Sequence, residues 1–416
     1  MNKTASWFLL VFFVARILLP LKSSAQWTPM NPVKSVQQKS DGALFELATG
    51  FLKIEVCSDT VIHVLYSPTS SFPTKPDYVL IKQRWPTTKW TMNSSAETAT
   101  LSTARLKIVV AKKDGAINFT DEHGNSLLQE ASRKLTPVKV NREDTYQAQS
   151  LINLYGTHEA LYGLGQHQAG VWNYRGESID ISQDNSNISV PLMLSSRGYG
   201  IYWSNDSRSQ FNNRFANYLY ISSEVADAID YYFLYGPDFD EIIASYRALT
   251  GQAPMFGKWA YGFWQCKNRY KSQEEILGIA RKYRDLRIPV DNIVQDWLWW
   301  NRKGEFVFNK NYPDPKAMVD TLHSENFHLM ISIWPFFEPG SANYDYMDKQ
   351  GWFVDKFKYA KPPYHAEGMA VYDATNPEAR KYYWDKVNEG LFSLGIDAWW
   401  MDTTERNRGP GREHPA

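Results

Sequence analysis

The chain has 416 residues, with 45 basic side chains against 45 acidic ones and a formal net charge of zero. That length can bury more than one core, and the charge balance favours neither nucleic acid nor an anionic membrane as a partner. Aromatic residues make up 15%, with 16 Trp and 25 Tyr, which is enough for a large core and for surfaces on which flat rings stack.

Residues 1–25 read as a secretory signal. Lys3 supplies positive charge, Trp7 to Ala15 is an unbroken apolar run, and Ser23-Ser24-Ala25 offers small residues for cleavage before Gln26. No apolar run approaches the roughly 20 residues of a membrane span. Export to the periplasm or the extracellular space is therefore expected, with no membrane partner after cleavage. Cys57 and Cys266 fall in different predicted domains and make no disulfide framework. Cys266 reads as a small buried apolar residue.

Residues 26–250 predict an all-β domain. Short alternating segments recur at Leu52–Val56, Val61–Tyr66, Arg105–Val110, Gly200–Trp203 and Ala228–Leu234. Turn signals such as Asp114-Gly115, His123-Gly124-Asn125 and Arg197-Gly198 separate them, which argues for a β-sandwich. A short helix over Phe239–Leu249 leads to Thr250-Gly-Gln-Ala-Pro254, a domain boundary.

Residues 251–416 change to alternating strands and helices. Lys258–Gln265 predicts a buried strand, and Ser272–Leu286 a helix with Ser272 and Glu275 at capping-box spacing. Strand Asp291–Gln295 runs into Asp296. Helix Pro315–Ser324 precedes strand His328–Ile333, which runs into Trp334. An excursion rich in Tyr, Lys and Pro spans Gly340–Asp373. Asn376-Pro377 then opens a helix carrying on to Leu394, and Ala398–Met401 is a fourth strand that ends on Asp402. Four strand-then-helix units predict a parallel sheet, half of a (β/α)8 barrel. Arg406–Ala416 carries three Arg, two Pro and two Gly without apolar periodicity, and reads as unstructured, the mark of a truncation or a frame change after Glu405.

In such a barrel the C-terminal ends of the strands converge on one pocket. These ends carry Phe263, Trp264 and Gln265, then Asp296 with Trp297, Trp299 and Trp300, then Trp334, and finally Trp399, Trp400 and Asp402. Indole faces beside isolated carboxylates suit sugars: carbon faces stack on the rings while hydroxyls donate to the carboxylates. Trp264, Trp297, Trp334 and Trp400 are therefore candidate substrate-binding residues. Asp402, ionised, can attack an anomeric carbon, and Asp296 can hold a hydroxyl. The eight His residues show no zinc spacing and no Gly-rich phosphate loop follows a strand, so neither a metal nor a cofactor is expected.

Trp400-Met-Asp402-Thr-Thr-Glu405 resembles the nucleophile signature of glycoside hydrolase family 31. Leu161-Tyr-Gly-Leu-Gly-Gln166, the run from Gly262 to Glu275, the run from Ile288 to Trp297, and Tyr372-Asp-Ala-Thr-Asn-Pro377 are also similar to members of this family, so the likeness spans about residues 27–405. It implies a retaining α-glycosidase with an N-terminal β-sandwich and a (β/α)8 barrel, and an oligosaccharide as its partner. Asp402 would be the nucleophile, and Asp296 would hold a hydroxyl of the non-reducing-end sugar. Trp334 and Trp400 would surround that sugar, and Asp184, on a sandwich loop, would contact substrate. The family's acid/base Asp lies on a later strand, whereas the chain ends 14 residues after Asp402. It therefore reads as C-terminally truncated and is expected to be inactive alone, with two open sheet edges weakening its half barrel. The wording around Gly262–Lys267 and Trp334–Gly340 is most similar to bacterial α-xylosidases of the xyloglucan type. An α-glucosidase and a non-catalytic carbohydrate-binding fragment are the alternatives.

Overall fold

In the computed structural model the described residues are 31–404, apart from 74–77, 83–84, 141–142, 156–157, 169, 185, 216 and 365. The predicted export signal, Glu405 and the tail 406–416 lie outside them. The chain divides into two compact units: residues up to 182 together with 189–251, and Gln183–Ile188 together with 252 onward.

The first unit is a sandwich of two antiparallel sheets. One sheet runs, in spatial order, Val33–Gln38, Gly42–Leu47, Phe51–Val56, Val61–Ser67, Ile229–Tyr235, Tyr199–Trp203, Ile188–Ser195 and Leu161–Gln166. The other runs Ser178–Ile181, Ser209–Asn212, Tyr218–Ala226, Glu143–Asn153, Ser126–Val140, Ile117–Asp121, Leu106–Ala111, Thr98–Ser102 and Thr91–Ser94. Alternation sets which face packs inward: along Phe51–Val56 every second residue is buried. Phe119 of one sheet stacks on Phe233 of the other at 4.1 Å, within a core that includes Phe45, Leu52, Ile108 and Leu128. Two polar links cross the same core. The Tyr231 hydroxyl donates to Glu130 Oε2 at 3.0 Å, and the Trp203 indole N–H donates to Ser223 Oγ at 2.9 Å.

The second unit is built on four parallel strands in sequential order: β1 (Trp264–Gln265), β2 (Asn292–Gln295), β3 (His328–Ile333) and β4 (Ala398–Met401). This sheet is part of a (β/α)8 barrel. Helix α1 (Gln273–Asp285) links β1 to β2, and α2 (Pro315–Ser324) links β2 to β3. Helix α3 (Pro377–Gly390) precedes β4. Each helix starts on a side-chain cap: Ser272 accepts from the Glu275 amide, Asp314 from the Ala317 amide, and Asn376 from the Glu378 and Ala379 amides. Each cap satisfies a backbone N–H that the first turn leaves unpaired.

The β3 side chains show how the sheet is covered. Leu329, Ile331 and Ile333 point to one face and join Ile276 and Ala280 of α1, Met318, Val319 and Leu322 of α2, and Ala379 and Val387 of α3 in one apolar core. Met330 and Ser332 alternate onto the opposite face, in register with Ala398 and Trp400 of β4.

One expected strand does not form as read. Lys258–Tyr261 is a 3-10 helix, and only Trp264–Gln265 pairs with β2. Gly262 separates them with no room for a side chain, since a Cβ there would lie 2.0 Å from the Asp291 carboxylate. The apolar run is bent by that close approach and pairs only beyond it. Helix α3 ends at Gly390 and is followed by a short 3-10 turn at Phe392–Leu394, earlier than the sequence predicts.

Candidate active site

The parallel register carries the chemistry to one end of the sheet. Asp296 follows β2, Trp334 follows β3 and Asp402 follows β4. The Asp402 amide donates to the Ile333 carbonyl at 3.1 Å, so the ladder between β3 and β4 extends one step past the strands and holds the carboxylate at their C-terminal edge. Asp402 Oδ1 also accepts the Thr403 amide at 2.8 Å, and Thr403 takes φ 58° to make that turn. Asp296 is half-buried, and its Oδ1 accepts the Trp297 amide at 2.7 Å.

Burial raises the Asp296 pKa above the ordinary carboxylate value; the Trp297 amide opposes the rise, the charge of Asp402 adds to it, and Arg269 counteracts it. Asp296 therefore lies within reach of the charge of Asp402. A sugar hydroxyl donating to Asp296 would favour its ionised form.

The aromatic residues sort into different tasks. The rings of Tyr364, Trp297 and Trp334 form a column: Trp297 lies 5.5 Å from Tyr364 at 12° and 5.7 Å from Trp334 at 18°. The Arg269 guanidinium also lies 5.7 Å from the Trp297 ring, and the indole N–H donates to Asn268 Oδ1 at 2.7 Å. Trp334 is 6% exposed, and its indole nitrogen is buried without a partner among the described residues. Trp400, 38% exposed, stands on the open face of the sheet opposite Ser332. Its neighbour Trp399 turns the other way, onto Trp384 and Phe392. Trp299 and Trp300 are buried in the core, Trp299 donating to the Ser332 carbonyl at 2.8 Å.

Three expectations need correction or restriction. Trp264 pairs with Asn292, itself paired with His328, so it sits on the opening rung of the sheet. That is four residues, roughly 13 Å of strand, before the level of Asp296. Its indole donates to the Ala260 carbonyl and packs against Trp259, which stacks on His328, so it braces that end rather than the mouth. Cys266 is exposed, not buried, because β1 is an edge strand only two residues long; both cysteines are free. Asp184 binds its own loop, accepting the Ser186 and Asn187 amides at 2.7 and 2.9 Å; that loop, Gln183–Ile188, groups with the second unit.

Sequence reading missed Arg269 and Tyr364, which pack on Trp297. Arg269 takes a left-handed backbone (φ 63°) that nothing in its neighbours announces. Tyr364 lies in the excursion after β3, where no periodicity marks it. Among the described residues no group of three or more His, Cys, Asp and Glu is arranged to hold a metal ion, and no helix is long and apolar enough to cross a membrane.

Comparison with known proteins matches both units. Residues 51–212 match the glycosyl hydrolase 31 N-terminal galactose mutarotase-like domain, and residues 253–415 match the glycosyl hydrolases family 31 TIM-barrel domain. The chain is 33% identical over 373 residues to an alpha-xylosidase of Saccharolobus solfataricus, an alignment that covers 86% of this chain and 49% of that protein. Alpha-glucosidase 2 of Bacillus thermoamyloliquefaciens is 24% identical over 389 residues, covering 87% and 47%. The crystal structure of an alpha-xylosidase of this family from a soil metagenome, complexed with xylose, superposes with a TM-score of 0.81 at 29% identity, covering 89% of this chain and 57% of that one. The chain thus spans about half the length of the curated relatives it matches. Two domain matches in family order, joined to a carboxylate pair at the strand ends of a partial barrel, place the chain in glycoside hydrolase family 31.

Proposed function

We propose that this chain carries the sugar pocket and the nucleophile of a retaining α-glycoside hydrolase that releases non-reducing-end α-linked xylose from oligosaccharides such as xyloglucan fragments. The observation that supports it most is the shared strand end: Asp296 and Asp402 within electrostatic reach of each other, beside Trp334 and Trp400. In this reading Asp402 attacks the anomeric carbon and forms the covalent glycosyl intermediate. Asp296 accepts a ring hydroxyl. Trp400 presents its exposed indole to a carbon face of the sugar, and Trp334 backs it. The loop of Asp184 is a further substrate contact.

Xylose lacks the hydroxymethyl group that glucose carries at C5. With Tyr364, Trp334 and Arg269 packed on it, Trp297 forms a fixed wall, and a rigid wall excludes that group sterically. The alpha-xylosidase relative supports xylose; the α-glucosidase relative supports glucose as the second reading. A retaining mechanism also takes a second carboxyl group as acid/base, typically worth 10²–10⁴ in rate. With Asp296 engaged in binding, the 416-residue chain by itself holds the sugar without turning it over. Export, read from residues 1–25, is part of the same proposal.

The test is a titration of the chain with p-nitrophenyl α-xyloside and p-nitrophenyl α-glucoside, following indole fluorescence and release of p-nitrophenol. The xyloside is expected to bind more tightly than the glucoside, with no release beyond one equivalent of p-nitrophenol, and Asp296→Ala is expected to weaken binding. Tighter glucoside binding overturns the xylose assignment, sustained release of p-nitrophenol over many equivalents overturns the inactivity, and binding of neither overturns the glycosidase reading.

A further inference from the structure

Beneath the aromatic column lies a cation to which the chemistry above gives no role. Lys303 is 6% exposed, and its ammonium sits 5.6 Å from the Trp334 ring and 6.0 Å from that of Trp300. It donates to the Pro363 carbonyl at 3.3 Å. Pro363 precedes Tyr364, the ring that closes the column over Trp297. The backbone around Lys303 is itself fastened: the Glu338 amide donates to the Lys303 carbonyl at 3.0 Å, and the Lys303 amide donates to Glu338 Oε2 at 3.4 Å. Gly304 follows with φ +84°, and a Cβ there would meet Phe337 at 2.4 Å, so the turn that aims Lys303 under the column requires glycine.

Burying an ammonium is expensive unless it gains partners. Burial drives the Lys303 pKa down and the charge of Glu338 opposes the fall. Two indole faces and one carbonyl are the remaining return; Trp334 and the Pro363 carbonyl belong to the column, while Trp300 lies in the core beside it. A Met or Leu would fill the same space at lower cost, so the charge has a geometric task.

We propose that Lys303 is a positioning residue for sugar binding: it pins the segment 361–364 through the Pro363 carbonyl, which holds Tyr364 on Trp297 and so fixes the Tyr364–Trp297–Trp334 column before the sugar arrives. This rests on the reading of the strand ends as a sugar pocket. Tyr364 is 51% exposed, and without the anchor its ring is free to leave Trp297. Trp297 would then lose the cover on one face and the wall its rigidity.

The experiment compares the full chain with Lys303→Met, which keeps the stem and removes the charge and donor, and with Lys303→Arg, which keeps both. The probe is p-nitrophenyl α-xyloside, read by indole fluorescence, with near-ultraviolet circular dichroism and thermal unfolding recorded in parallel. Lys303→Met is expected to weaken binding about ten-fold and to change the near-ultraviolet indole signal, with Lys303→Arg within about two-fold of the wild type. Wild-type affinity in Lys303→Met, or an equal loss in both variants, overturns the positioning role and leaves the pocket reading intact. Wild-type protein that does not bind the xyloside overturns the pocket reading and this inference with it. Should Lys303→Met fail to fold, Tyr364→Ala, at an exposed residue, carries the test: it must lose affinity by a similar factor, and unchanged affinity overturns the proposal.

Discussion

His63 should make the sandwich sensitive to alkali. It sits on Val61–Ser67 with its Nδ1 2.6 Å from Glu55 Oε2 and its Nε2 2.8 Å from Asp230 Oδ1, stacked on Tyr232 at 4.0 Å. Burial alone would lower its pKa, but the charge and hydrogen bond of Asp230 and those of Glu55 more than reverse this, raising it from 6.5 to about 9. The group is charged in both folded and unfolded chains below pH 6.5, so its whole contribution is present there. It is lost as pH rises through about 9, where the folded form also loses its proton. The gap between 6.5 and about 9, at about 1.4 kcal/mol per pH unit, is worth about 3 kcal/mol. Glu55, lowered to about 2 by His63 and Lys53 against the effect of burial, reports the same contact from the acid side and adds no independent amount. The assay is urea unfolding of wild type and His63→Gln between pH 6 and pH 9.5, followed by far-ultraviolet circular dichroism. The wild type should lead the variant by about 3 kcal/mol at the acid end, with the gap closing toward the alkaline end. A gap that stays constant over the window would refute the clamp.

Two more substitutions probe the cores, one in each unit. Arg133→Met removes the guanidinium that binds Glu130 Oε2 at 2.7 Å, leaving a fully buried carboxylate with Ser150 and Tyr231 as neutral partners among the described residues. The expected cost is about 3–5 kcal/mol in the urea midpoint analysis, and a loss under about 1 kcal/mol would show that the pair is not needed. Gly304→Ala places a Cβ 2.4 Å from Phe337 at a φ of +84°, and should destabilise the second unit by about 1–3 kcal/mol. An unchanged thermal midpoint would contradict that geometry.

The local signals that proved readable share a physical origin. His328–Ile333, Ala398–Met401 and Pro315–Ser324 form where the sequence predicts, because a short apolar run and a capped Pro-initiated helix are decided by neighbours in the chain. Lys258–Gln265 reads as a strand by the same apolar content, yet it is broken by the approach of Asp291 to Gly262, a contact 29 residues away in sequence. Cys266 is exposed for a similar reason: exposure depends on how far β1 pairs, which its own residues do not specify.

The chain order of strands, helices and terminal carboxylates was enough to determine a sandwich followed by parallel strand-helix units, and to place Asp296 and Asp402 at strand ends, because alternation and capping act over a few residues. Only the packed structure decided which indoles matter and how. Trp264 braces the opposite end, Trp297 is enclosed between Tyr364 and Trp334, and Lys303 supports that column from below. Those assignments depend on long-range ring and charge contacts, such as that between Trp297 and Tyr364, 67 residues apart, and no local pattern encodes them.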